Sequence, residues 1–106
     1  MTVSALDLFS AKPKITKMML EPLDDFCYVR EFTMSDRHKI QNYAREDINS
    51  AIGYNIIFGI CDHEGNRLFT EEDYEKILEL PEETFTCLFA AVMEANKADE
   101  KEVAKN

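Results

Sequence analysis

The side chains able to do acid–base, nucleophilic or metal chemistry in this 106-residue chain are two histidines, three cysteines and twenty-one carboxylates. Cys61 and His63 form a Cys-x-His pair, but a structural zinc needs four ligands and no second pair stands at a usable spacing. A nucleophilic site needs a Cys or Ser with a base and an orienting carboxylate, and with His38 and His63 as the only imidazoles nothing local completes one. The run Asp62, His63, Glu64, Gly65, Asn66, leading into Thr70, Glu71, Glu72, invites a calcium-loop reading. Its spacing refuses that reading. Gly65 at the obligatory glycine puts Ile60 at the first ligand position, and Asp62 as first ligand puts Arg67 in the glycine slot. Gly53, Gly59 and Gly65 never cluster into a phosphate-binding loop. The chain is therefore expected to be no enzyme, with no catalytic residue, no metal and no cofactor.

Composition narrows the function further. The formal net charge is -9, so binding a phosphate backbone would work against the field of the whole molecule, and no nucleic-acid partner is expected. An apolar content of 45% is enough to fill a modest core. Three cysteines without a CxxC pair fit reduced, buried thiols better than a disulfide framework. No stretch approaches the roughly 20 apolar residues of a membrane span, and residues 1–4 lack the basic start of a secretory leader, so neither a membrane nor secretion is expected. The charge is also uneven. Between Asp62 and Glu83 nine acids face only Arg67 and Lys76, which places seven of the nine net negative charges in one block. Glu71, Glu72, Asp73 and Glu75 are its candidate acidic face, either ordinary helix-start acids or a docking surface for a basic partner.

The elements that must carry these residues read as an α+β domain, mainly helical, with three to four helices and a small N-terminal antiparallel β element. Phe26–Thr33 is rich in aromatic and β-branched types and alternates as a strand, with Ile15–Leu20 as its partner across a turn at residues 21–25. Thr33 or Ser35 can cap a helix with Asp36 in its first turn, and the apolar spacing from Ile40 to Ile56 predicts two helices split near Asn49. Ile57–Cys61 is apolar throughout, and helix and buried strand are equally compatible with it. A turn follows, in which Gly65 can take a positive φ. Thr70 and Asp73 then form a capping box, with Phe69 and Tyr74 as a hydrophobic staple, on a helix that must stop before Pro81. Phe85, Leu88, Phe89, Val92 and Met93 fall at i, i+3, i+4, i+7 and i+8 of a last helix closing at Asn96. Residues 1–14 read as a flexible arm, 15–97 as the globular domain and 98–106 as a charged tail.

The order of these features resembles the tail assembly chaperones of long-tailed, siphovirus-type phages. The resemblance rests on Val29, Arg30, Glu31 closing a strand, a polar helix, an apolar segment ending in Asp62, the Asp62–Gly65 turn, Leu68 to Asp73, Leu80-Pro81, and a helix to Asn96. It covers about residues 15–97. It implies a non-enzymatic protein of the host cytoplasm, absent from the mature virion, that binds the tape measure protein, keeps that chain soluble and helps recruit tail tube subunits. Self-association is expected with it, since repeated weak contacts along an extended client gain avidity. The stripe Phe85, Leu88, Phe89, Val92, Met93 is the candidate partner-binding face, or else core, and Met18, Met19 and Met34 offer adaptable contacts or gap-filling. The alternative function is an acidic decoy or regulator that covers a basic protein surface with residues 62–83.

Overall fold

The computed structural model describes the backbone of residues 2–105 and the side chains of residues 2–97. The alternating residues of Ile15–Leu20 (β1) and Asp25–Arg30 (β2) pair antiparallel, in a register running from Ile15 opposite Arg30 to Leu20 opposite Asp25. A 3-10 turn at Glu21–Leu23 joins them, with Pro22 at its start and Asp24 in the left-handed region at φ 51°. Asp is among the few residues that accept that conformation. The short strand Ile60–Cys61 (β3) adds to the other side of β2, giving the order β1-β2-β3 and leaving β1 as an edge.

Among the described residues five α-helices accompany the sheet. Of the two candidate caps for Met34–Glu46 (α2), Thr33 is used: its hydroxyl accepts from the Asp36 amide while the Asp36 carboxylate accepts from the Thr33 amide. The break after α2 falls at residues 47–49, where Ser50 Oγ donates to the Asp47 carbonyl at 2.6 Å and opens Ser50–Gly59 (α3). Ile56, Ile57 and Phe58 on α3 are fully buried, as expected of a helix apolar on every side. The ambiguous run 57–61 is thus both things, helix to Gly59 and strand from Ile60. Gly59 permits this packing, because a Cβ there would lie 2.7 Å from Val92 Cγ1 on the last helix.

After the turn at 62–66, where Gly65 has φ +92°, the Thr70–Asp73 capping box forms as expected. The first turn it caps, Glu71–Asp73, is 3-10, followed by Tyr74–Leu78 (α4), which ends short of Pro81. The last helix, Glu82–Lys105 (α5), differs from expectation, for it does not close at Asn96. Asn96 is buried at 3% exposure, donates to the Val92 carbonyl at 3.0 Å, and accepts the Phe32 amide at 3.1 Å. It ties the exit of β2 to the helix interior, and Ala, Glu and Lys beyond it sustain the helix by propensity. The side chains of the expected charged tail, 98–106, lie outside the described residues.

The core is built by Leu20 and Val29 from the sheet, Ile56, Ile57 and Ile60 from the centre, Ile77 from α4, and Leu88 and Val92 from α5. Residues 5–9 form a short helix (α1, Ala5–Phe9) that the sequence reading missed. Ser4 and Asp7 cap it reciprocally, and it buries none of its residues.

Candidate functional site

A charge cluster fixes the region after β3. Asp36 is 1% exposed and receives both guanidiniums: Arg30 Nη2 donates to its two oxygens at 3.0 and 3.3 Å, and Arg67 Nη2 donates to Oδ1 at 2.8 Å. The Arg67 guanidinium also lies 4.4 Å from the centroid of the buried Phe58 ring. Charge-assisted bonds to one buried carboxylate thus join β2, the start of α2 and the segment following β3. That segment begins with a turn closed by Asp62, whose Oδ1 accepts the amides of Glu64 and Asn66, both at 2.9 Å. Those amides, Asn66 first, hold the Asp62 carboxyl below its usual pKa. The carboxylate that suggested a calcium ligand is thus engaged by its own turn.

The segment beyond Arg67 delivers Leu68 and Phe69 to the wall of an open apolar groove of about 450 Å³. Leu20, Leu23 and Phe26 from the β1–β2 hairpin also line it, together with Leu80, Thr84 and Leu88. This volume falls within the range of ligand-sized clefts. Three of the lining side chains remain open to solvent, Leu23 at 61%, Phe26 at 52% and Leu68 at 57%. Asp62 and His63 are the charged or titratable side chains on its polar edge apart from Tyr28 and the thiols of Cys27 and Cys61. Burial pushes both thiols above their ordinary pKa, for Cys27 with added repulsion from Cys61, which keeps them protonated and weakly nucleophilic at neutral pH. His63 is exposed, 3.6 Å from the Glu64 carboxylate. Among the described residues no group of three or more His, Cys, Asp and Glu is placed to hold a metal ion. The groove can therefore hold apolar side chains.

The residues singled out from sequence are scattered by the fold. Of the α5 stripe, Leu88 reaches the groove, Val92 is completely buried, Phe85 and Phe89 are half-buried against the core, and Met93 is 39% exposed. The stripe is mainly the inner face of α5. Of the acidic residues, Glu71 accepts the Tyr43 hydroxyl at 3.1 Å and Asp73 accepts the Thr70 amide at 2.8 Å, whereas Glu72 and Glu75 are exposed. Tyr43 belongs to a stack in which the Tyr43 and Tyr54 rings lie 3.6 Å apart and the Tyr54 and Tyr74 rings 4.4 Å apart, linking α2, α3 and α4. Desolvation, with the Glu71 hydrogen bond next, pushes the Tyr43 phenol up to about 12. Leu23, Phe26, Leu68 and Phe69 were not read as one site. Their signal was large apolar residues in and beside turns, where polar residues are usual.

Superposition on solved structures identifies the architecture. The chain matches the structure of the bacteriophage HK97 tail assembly chaperone with a TM-score of 0.64 over 84% of this chain and 89% of that one, at 16% identity. This is the tail assembly chaperone fold. At that identity the shared fold is carried by pattern, and the sequence itself matches no protein-family profile and no curated protein sequence. The tail assembly chaperone fold here has no helix, among the described residues, long and apolar enough to cross a membrane.

Proposed function

We propose that this chain is a tail assembly chaperone that acts without catalysis, holding an apolar helical segment of the tape measure protein in the groove between the β1–β2 hairpin, Leu68-Phe69 and α5. The observation that carries the reading is that groove, open and apolar, on the fold of the HK97 tail assembly chaperone. A helix laid into such a groove presents anchors at i, i+3, i+4 and i+7, and Leu23, Phe26 and Leu68 are placed to receive them. Each contact is weak. Self-association multiplies them along an extended client, which keeps the client soluble and gathers tail tube subunits before the virion is complete. The chaperone works in the host cytoplasm and is absent from the finished particle.

The test is co-expression with the cognate tape measure protein. The wild-type chain should keep that client soluble and co-purify with it, and the Leu68→Asp variant should fail at both. The alternative acidic-decoy reading has less support: Asp62, Glu71 and Asp73 are engaged within the chain, and its exposed acids, Glu64, Glu72, Glu75, Glu79, Glu82 and Glu83, come with no observation comparable to the groove.

A further inference from the structure

The N-terminal arm displays apolar side chains that the other described residues leave uncovered. Val3 is 68% exposed, Leu6 75%, Leu8 61% and Phe9 87%, and the Ser4–Asp7 capping box holds them on an ordered helical turn. An arm serving only as a soluble leader would have polar residues at these positions. We infer that the groove of a second copy of this chain receives this arm, with Leu6 and Phe9 as its anchors, until a client displaces it.

Geometry favours a second copy over the arm's own groove. The Lys14 carbonyl accepts the Glu31 amide at 2.8 Å and the Lys14 amide donates to Glu31 Oε1 at 3.2 Å, so the arm leaves the body at the open end of the hairpin. The groove uses Leu20, Leu23 and Phe26 at the turn end. A six-residue strand, about 17 Å long, separates the two. Residues 10–14 would have to reverse along its whole length, with Pro13 stiffening them. Charge is complementary as well. The arm carries Lys12 and Lys14 against Asp7, while Asp24, Asp25 and Asp62 stand at the groove and its flanking turn, with Lys17 over Phe26 the opposing cation. Because arm and groove are different surfaces, each copy can give its arm to one neighbour and take an arm from another, so copies can add head to tail.

Arm docking is independent of the client, and only its displacement rests on the proposed chaperone role. Sedimentation velocity of the full chain over a concentration series is the test. The wild-type chain should associate with concentration, and the arm variant Leu6→Asp/Phe9→Asp should need at least about tenfold more protein for the same association. That variant cannot fail by unfolding, since α1 buries nothing. A groove variant, Leu68→Asp, should be equally defective alone, yet mixing it with the arm variant should give a one-to-one dimer that grows no further, because one chain supplies an arm and the other a groove. Should Leu68→Asp lose its circular dichroism, a synthetic peptide of residues 2–14 replaces it, and excess peptide should dissociate the wild-type assembly. A wild-type chain that stays monomeric overturns the inference together with the self-association proposed for the chaperone, whereas an arm variant that associates as the wild type does overturns the inference alone.

Discussion

Replacing Asp36 should be the most destabilising single change at the surface-to-core boundary. Its carboxylate is the shared partner of Arg30 and Arg67 and half of the α2 capping box. Removing one partner of a buried ion pair costs about 3–5 kcal/mol, because the charge left behind is uncompensated. Here the two guanidiniums are 18% and 30% exposed, so water relieves part of that, and the low end of the range applies. We expect Asp36→Ala to cost about 3 kcal/mol and Asp36→Asn, which keeps an acceptor for the Thr33 amide, about 2 kcal/mol. Against a total stability of about 5–15 kcal/mol that loss is severe. The assay is urea denaturation followed by far-ultraviolet circular dichroism. With a slope of about 1.5 kcal/mol per molar urea, Asp36→Ala should lower the midpoint by about 2 M. A triple change, Asp36→Leu with Arg30→Met and Arg67→Met, should recover most of the loss, since an apolar replacement of a buried ion cluster is commonly near neutral. A midpoint drop below about 0.5 M for Asp36→Ala would refute the reasoning, showing the cluster to be as weakly coupled as an exposed ion pair.

Three further outcomes follow from named contacts. Gly59→Ala should cost about 1–3 kcal/mol in the same assay, because the new methyl meets Val92 Cγ1 at 2.7 Å; adding Val92→Ala should make the second change cost less than it does alone. Asn96→Ala should cost about 1–3 kcal/mol by stranding the Phe32 amide, and amide hydrogen exchange at Phe32 should speed up. The Tyr43 phenol has a folded pKa of about 12 against an ordinary value of 10.0, so the fold favours its neutral form. Its contribution should be intact below pH 10.0 and lost as pH rises through about 12, seen as late phenolate absorbance that Tyr43→Phe reduces, Tyr54 and Tyr74 being raised as well.

Local signals carried most of the fold. The capping boxes at Thr33–Asp36 and Thr70–Asp73 fix helix starts through bonds between near neighbours, the alternation of Phe26–Arg30 marks a strand, and the proline after Leu80 stops a helix by restricting the residue before it. What stayed hidden was set at a distance. Asn96 has a helix-closing residue type, yet its partner Phe32 lies 64 residues away, and no local pattern announces it. Arg30 and Arg67 read as ordinary charges because nothing in the chain marks a carboxylate 31 residues from Arg67 as their common partner. The α5 stripe was visible, but periodicity does not distinguish an inward face from a docking face, and the structure turns Leu88 and Val92 inward. The arm helix is a single capped stretch of five residues that buries nothing, so no apolar periodicity marks it, although the Ser4-x-x-Asp7 signature stands in the sequence.

The most direct test of the central claim is quantitative co-purification of the tape measure protein with this chain, comparing wild type with Leu68→Asp after both are shown to be folded. The account predicts a soluble complex with the wild-type chain and insoluble client with the variant. A client that remains soluble and bound to Leu68→Asp, or that stays insoluble beside the wild-type chain, would contradict it.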